Sequence, residues 1–323
     1  MTAPSPSLAV RLLTSEHLVW ILCVALVAAL APSTPGLLSA TNGANLAGGL
    51  APLFLVALGQ TLVILVSGID LSVTSIIALA SVAGALAMNT DTGWLAGSPV
   101  AVPAAIALML ALGATAGAAN GAAVSVGRMP AFMVTLTAMM ALSGLALWVT
   151  QSKNIPNLPA GFNALGRSLW PGLVLAGGLG VAVHFLLERT LIGRWMFACG
   201  QNPAAARVSG VPVRAVVTGA YVLSGLLAAT ASVLYSARLE SGSPVLGQRM
   251  LLDVIAAVVI GGTSLYGGRA RVAWTLSGVV FLSLLDNALN LRGLSHFTIM
   301  MIKGAVILGA AWLDALRRRR TGR

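Results

Sequence analysis

Ser67-Gly68-Ile69-Asp70-Leu71-Ser72 interrupts two long apolar stretches, residues 45–66 and 73–88. A carboxylate beside a glycine is costly in hydrocarbon, and backbone that leaves the helix there needs partners other than lipid. Such a break is tolerated where it is buried in protein or lines a polar cavity. A chain carrying one inside its apolar spans is better suited to moving a polar solute than to passive anchoring.

The rest of the composition agrees. Of 323 residues, 58% are hydrophobic and 8% charged, and the mean hydropathy is +0.93. Soluble domains carry about 25% charged residues, so a soluble fold of this size would have too little charge to cover its surface. The apolar runs are continuous, without the period-two alternation of a β-barrel. The expectation is an all-α polytopic membrane protein forming one transmembrane domain over residues 1–323.

About 20 apolar residues cross the hydrocarbon core. Spans are expected near 17–38, 45–66, 73–88, 99–123, 131–150, 169–187, 214–236, 250–265, 273–291 and 296–314. The first is read as a retained span rather than a cleaved signal peptide. With both ends cytoplasmic, the basic residues divide 13 inside, 5 outside and Lys303 within the last span, as the positive-inside rule asks. This leaves a cytoplasmic N-terminal segment over 1–16, a cytoplasmic loop over 188–213 and a basic tail over 315–323 held against anionic lipid. The outer loop 151–168, with Asn154, Pro156, Asn157, Pro159 and Gly161, reads as irregular.

The net charge of +11 needs no nucleic acid to explain it, because no stretch is long and polar enough for a solvated basic domain. Cys23 and Cys199 have neither disulfide nor metal spacing. His17, His184 and His296 lie near span ends without ligand spacing, so no metal is assigned. No cluster of His, Asp or Glu forms a catalytic set, and the chain is not read as an enzyme.

In the cytoplasmic loop, Asn202 is placed to cap a helix, with Pro203 at its first position and Gly210 to stop it. That predicts one short helix of about two turns outside the membrane. Its small residues would let another surface approach closely; lying flat on lipid headgroups is the plain alternative.

This segment resembles the coupling loop of ABC importer permeases, and three further segments agree in collinear order. Residues 68–75 (GIDLSVTS) are similar to the first signature of the ribose/galactose-class sugar permeases, and residues 255–268 (IAAVVIGGTSLYGG) to the second. Residues 287–293 (NALNLRG) and 303–317 (KGAVILGAAWLDALR) resemble the family's ending. The chain departs from the pattern at Thr74, at Arg249 to Asp253 and in the basic pair Arg269 and Arg271.

The resemblance implies the permease subunit of an importer for a monosaccharide or related polyol in the bacterial inner membrane. Its implied partners are a second permease subunit, identical or homologous, a periplasmic solute-binding protein and an ABC ATPase that uses ATP and Mg. The chain itself binds no cofactor. Its two lysines precede Asn154 and Gly304, so neither belongs to a phosphate-binding loop. The coupling-loop candidates are Arg194, Gly200, Asn202, Ala205, Ala206, Arg207, Ser209 and Gly210. Branched-chain amino acid or nucleoside import, and ion-driven secondary transport, are the rival functions.

Candidates for the path or its gate are Gln60, Asp70, Ser72, Ser75, Asn120, Asp253, Asn287 and Asn290. Asp70 either caps the helix starting near Ser72 or offers hydrogen bonds to solute. Asp70 with Asn120 at one face, and Asp253 with Asn287 at the other, point to an inverted repeat of spans 2–5 and 7–10. Lys303, roughly 10 Å along the helix from His296, is too deep to face lipid unpaired. A structural ion pair with Asp253 or Asp286 is expected.

Overall fold

The computed structural model describes residues 17–321, with side chains described as far as Gly309 and at Trp312. The expected segment 1–16 and the basic side chains of the tail 315–323 lie outside the described residues. The helices are α1 (Leu18–Leu30), α2 (Ala40–Leu65), α3 (Val73–Met88), α4 (Ala101–Ser125), α5 (Ala131–Thr150), α6 (Ala160–Arg167) and α7 (Leu169–Arg189). They continue with α8 (Leu191–Gln201), α9 (Pro203–Val208), α10 (Val213–Leu239), α11 (Leu251–Gly261), α12 (Val272–Leu291) and α13 (His296–Thr321). Among the described residues the only extended pairing is one isolated bridge, Ile155 with Gly242.

Among the described residues six helices (α2, α4, α5, α7, α10 and α12) are long and apolar enough to cross a membrane, and α1, α3 and the start of α13 are shorter apolar helices. The eighth expected span, 250–265, is corrected. The helix α11 has 11 residues, a rise of about 16 Å that falls short of the hydrocarbon core. Gly262 ends it by taking φ +116°, a left-handed conformation that side chains resist, and its N–H closes on Val259 O. The loop 151–168 is likewise more ordered than expected. Fully buried Phe162 anchors α6 in an apolar cluster with Val233 and Ala237 of α10.

Two helices form the centre. The most apolar window of α2 is 78% buried, against 11% for α5 and 17% for α7, which lie at the periphery of the chain. The other central helix, α10, packs along α2. It also packs against α3 and α4, while α2 packs against α11 and α12. Small residues bring the backbones together. Gly113 and Gly117 of α4 leave no room for a Cβ, because Gly225 O and Tyr221 O of α10 occupy that space. The two helices thus lock along one face.

Candidate functional site

The break quoted above sits at the C-terminal end of α2. Asp70 is fully buried, and the acceptors of its carboxylate are committed. Oδ1 receives the Ser72 backbone N–H at 3.0 Å and the Ser72 hydroxyl at 2.6 Å, and Oδ2 receives the Ser224 hydroxyl of α10 at 3.1 Å. Asn120 of α4 donates to Ser72 Oγ at 2.8 Å, and the Ser75 hydroxyl closes on Ser72 O at 2.7 Å. Ile69 O accepts from Thr135 of α5. The cluster satisfies the backbone donor just before α3 and ties four helices together. Asp70 thus bonds the residue that precedes the first turn of α3, and no side chain caps the N–H groups of that turn.

A second cluster lies about 30 Å away along α2, from Leu65 back to Asn45. Here Lys303 of α13 reaches Asp253 Oδ2 of α11 at 3.0 Å and Asp286 Oδ1 of α12 at 2.5 Å. Both of the partners expected for it are engaged at once. Asn290 donates to Asp286 Oδ2 at 3.1 Å. Asn287 exchanges amide hydrogen bonds with Asn42 of α2 at 2.8 and 2.9 Å. Asp253, Asp286, Asn287, Asn290 and Lys303 border a cavity of about 320 Å³ that Asn45, Tyr235 and Ser283 also line. Asn42, Asn45, Tyr235 and Ser283 escaped sequence reading because isolated polar residues in apolar helices carry no motif.

Gln60, in mid-α2, is fully buried, and neither polar atom of its amide has a hydrogen-bond partner in the structure. Next to it Thr61 meets Thr275 of α12 at 2.7 Å. Gln60 joins neither cluster by hydrogen bonding.

The third region is the predicted exposed helix. Asn202 Oδ1 accepts the N–H groups of Ala204 and Ala205, each at 3.0 Å, and Pro203 opens α9. Gly210 follows it at φ +82°. Arg194, Ala205, Arg207, Ser209 and Gly210 are exposed, whereas Ala206 is buried. The loop holds a second helix that the sequence reading missed: α8, capped by the Thr190 hydroxyl on Gly193 N at 3.1 Å. An ST cap followed by Gly193 was its available signal.

The end of α8 explains Gly200. Its position leaves no space for a Cβ, because Leu65 O and Gly268 N lie against it. Gly268 N donates to Leu65 O at 2.9 Å. Ser67, at φ +62°, sends its hydroxyl toward Gly200 O at 3.1 Å and Tyr266 O at 3.0 Å. So the exposed helix pair, the break after α2 and the turn after α11 meet at one knot. Arg271 and Arg269, the family departures near it, lie 5.1 and 6.0 Å from the ring of Trp274.

Residues 42–311 match the permease family described as branched-chain amino acid transport system / permease component. The chain belongs to this permease family. The permease is 42% identical over 291 residues to the ribose import permease of Bacillus subtilis (strain 168), covering 87% of this chain and 86% of the relative. The ribose import permease of Escherichia coli (strain K12) is 39% identical over 297 residues, 90% of each chain. The L-arabinose transport system permease of the same strain is 35% identical over 270 residues, 82% of this chain and 80% of the relative. No solved structure matches the permease. The motif resemblance is borne out, and with six long apolar helices the permease is a multi-pass membrane protein.

Proposed function

We propose that the permease is the transmembrane subunit of an ATP-driven ABC importer that carries a monosaccharide or related polyol across the bacterial inner membrane. The named functions of its relatives, ribose import and L-arabinose transport, support the solute class. One geometric observation carries the mechanism: Gly200 is clamped between Leu65 and Gly268. A load on α9 passes through α8 into that clamp and moves the ends of α2 and α11 together. The permease then needs no covalent chemistry. Its work is to favour one of two packings of the central helices, selected by the ATPase.

In this reading the knot faces the cytoplasm and the Lys303 cavity opens toward the periplasm, with both ends inside and ten membrane segments, the eighth being the short α11 continued by the non-helical stretch after Gly262. The basic-residue split supports that orientation. The segments α2–α5 and α10–α13 form an inverted repeat, supported by α10 packing on α3 and α4 as α2 packs on α11 and α12. A second permease subunit completes the pathway. ATPase subunits grip 193–211, using ATP and Mg that this chain does not bind, and a binding protein docks on loops 151–168 and 237–249. Within the single transmembrane domain, Asp70, Ser72, Ser75 and Asn120 close the inner end, while Asp253, Asn287, Asn290 and Lys303 shape the outer one.

The test is Arg207→Glu. The expected outcome is a normally inserted permease whose complex loses binding-protein-stimulated ATP hydrolysis; unchanged uptake removes the coupling assignment. The family's description favours one second reading, branched-chain amino acid import. Competition of leucine against ribose in the uptake assay separates the two.

A further inference from the structure

We infer that the cavity beside Lys303 is a solute subsite within each permease subunit, selective for neutral polyols over their anionic derivatives. This rests on the sugar-import reading. Its volume of about 320 Å³ equals that of about ten bulk waters and lies at the small end of ligand pockets, the scale of one sugar ring.

Its lining has the chemistry of such a ring. Leu46, Leu53 and Leu282 supply apolar surface for C–H faces. Tyr235, Ser283 and Asn45 line the same space. None of these three side chains makes a hydrogen bond among the described residues, although both oxygens of the sealed Asp70 carboxylate do. Asp253 commits Oδ2 to Lys303 and leaves Oδ1 without a protein donor. Uncommitted donors and acceptors beside a cavity are satisfied by water or by hydroxyls of a ligand.

Charge sets the class. Two carboxylates flank one ammonium, so the walls carry a formal charge of −1. Among the residues lining this cavity the one cation is already held by both acids, and the nearby Arg238 guanidinium lines the adjoining cavity, where it donates to Asn45 O at 3.3 Å. A neutral polyol meets acceptors for its hydroxyls and no repulsion.

The test uses the full chain in lipid nanodiscs with D-ribose, L-arabinose, ribose 5-phosphate and leucine, read by saturation-transfer NMR. The expected result is millimolar binding of at least one aldose and none of ribose 5-phosphate. The double variant Tyr235→Phe, Ser283→Ala, conservative in shape, should weaken aldose binding about tenfold with an unchanged melting temperature. In parallel, the complete importer is assayed for aldose uptake. Uptake by wild type with undiminished binding by the double variant overturns the subsite alone, as does binding of ribose 5-phosphate as tight as that of ribose. No aldose uptake by the intact importer overturns the sugar reading beneath it. Should the double variant fold poorly, Ser283→Cys provides the second measurement: its modification by a membrane-impermeant thiol reagent must be slowed by the bound aldose, and an unprotected cysteine overturns the subsite.

Discussion

The Asp70 cluster and the Lys303 cavity place similar residue types at opposite ends of the same helix, yet only one is closed. At Asp70 each carboxylate oxygen has a protein donor and the side chain is fully buried. At Lys303 the lysine side chain is 15% exposed and those of its partners Asp253 and Asp286 are 26% and 41% exposed. A sealed polar network fixes one arrangement, because any change strands a donor or acceptor away from water. An open one tolerates exchange of its partners with solute or water. The difference assigns rigidity to the Asp70 end and exchange to the Lys303 end.

The strongest way to break this contrast is Asp70→Ala. It leaves the Ser72 N–H and two hydroxyls without acceptors, and the expected loss is about 3 kcal/mol, read as a large drop in detergent melting temperature. A small drop would mean the cluster is wet rather than sealed. Next is Gly200→Ala. A Cβ there meets Leu65 O and Gly268 N, and crowding of this kind costs about 1–3 kcal/mol. We expect the assembled complex to lose most of its coupled uptake while the ATPase still binds, measured by transport and pull-down.

Lys303→Met sharpens the comparison from the other end. It leaves two carboxylates facing each other at the partly open cavity, with an expected cost of about 1–2 kcal/mol. Adding Asp253→Asn should recover most of that stability without restoring transport, which a melting series and uptake together decide. The smallest effect belongs to Arg167 and Glu240, an exposed pair at 2.8 Å. Arg167 lowers the Glu240 pKa by hydrogen bonding. The pair's contribution is therefore full above the ordinary carboxylate value of about 4.3 and is lost as pH falls through the lower folded value. Glu240→Gln should leave the melting temperature unchanged near neutral pH, within error of wild type.

Much of this was legible because hydrocarbon allows few solutions. The ends of the third and fifth expected spans, 73–88 and 131–150, coincide with α3 and α5, since the polar stretch around Asp70 precedes one and Pro130 the other. The cap of α9 was readable because Asn-Pro acts within one turn. The break at Gly262 was not. The second signature, residues 255–268, is apolar up to that glycine, and only its left-handed φ shows that the helix stops. Lys303 announced its need for a partner by depth. That it takes Asp253 and Asp286 together depends on where α11, α12 and α13 converge.

Local chemistry in the chain therefore determined that it is a helical membrane protein, that the chain breaks around Asp70, and which short exposed helix stands apart. Hydropathy and capping act between neighbours in sequence, so they can be read there. Tertiary structure alone decided that Gly200 touches both breaks, that Asp70 is closed off, and that Tyr235, Ser283 and Asn45 share a cavity with Lys303. Those outcomes are set by helix crossings between residues far apart in the chain, where small residues let backbones meet and no local pattern records the partner.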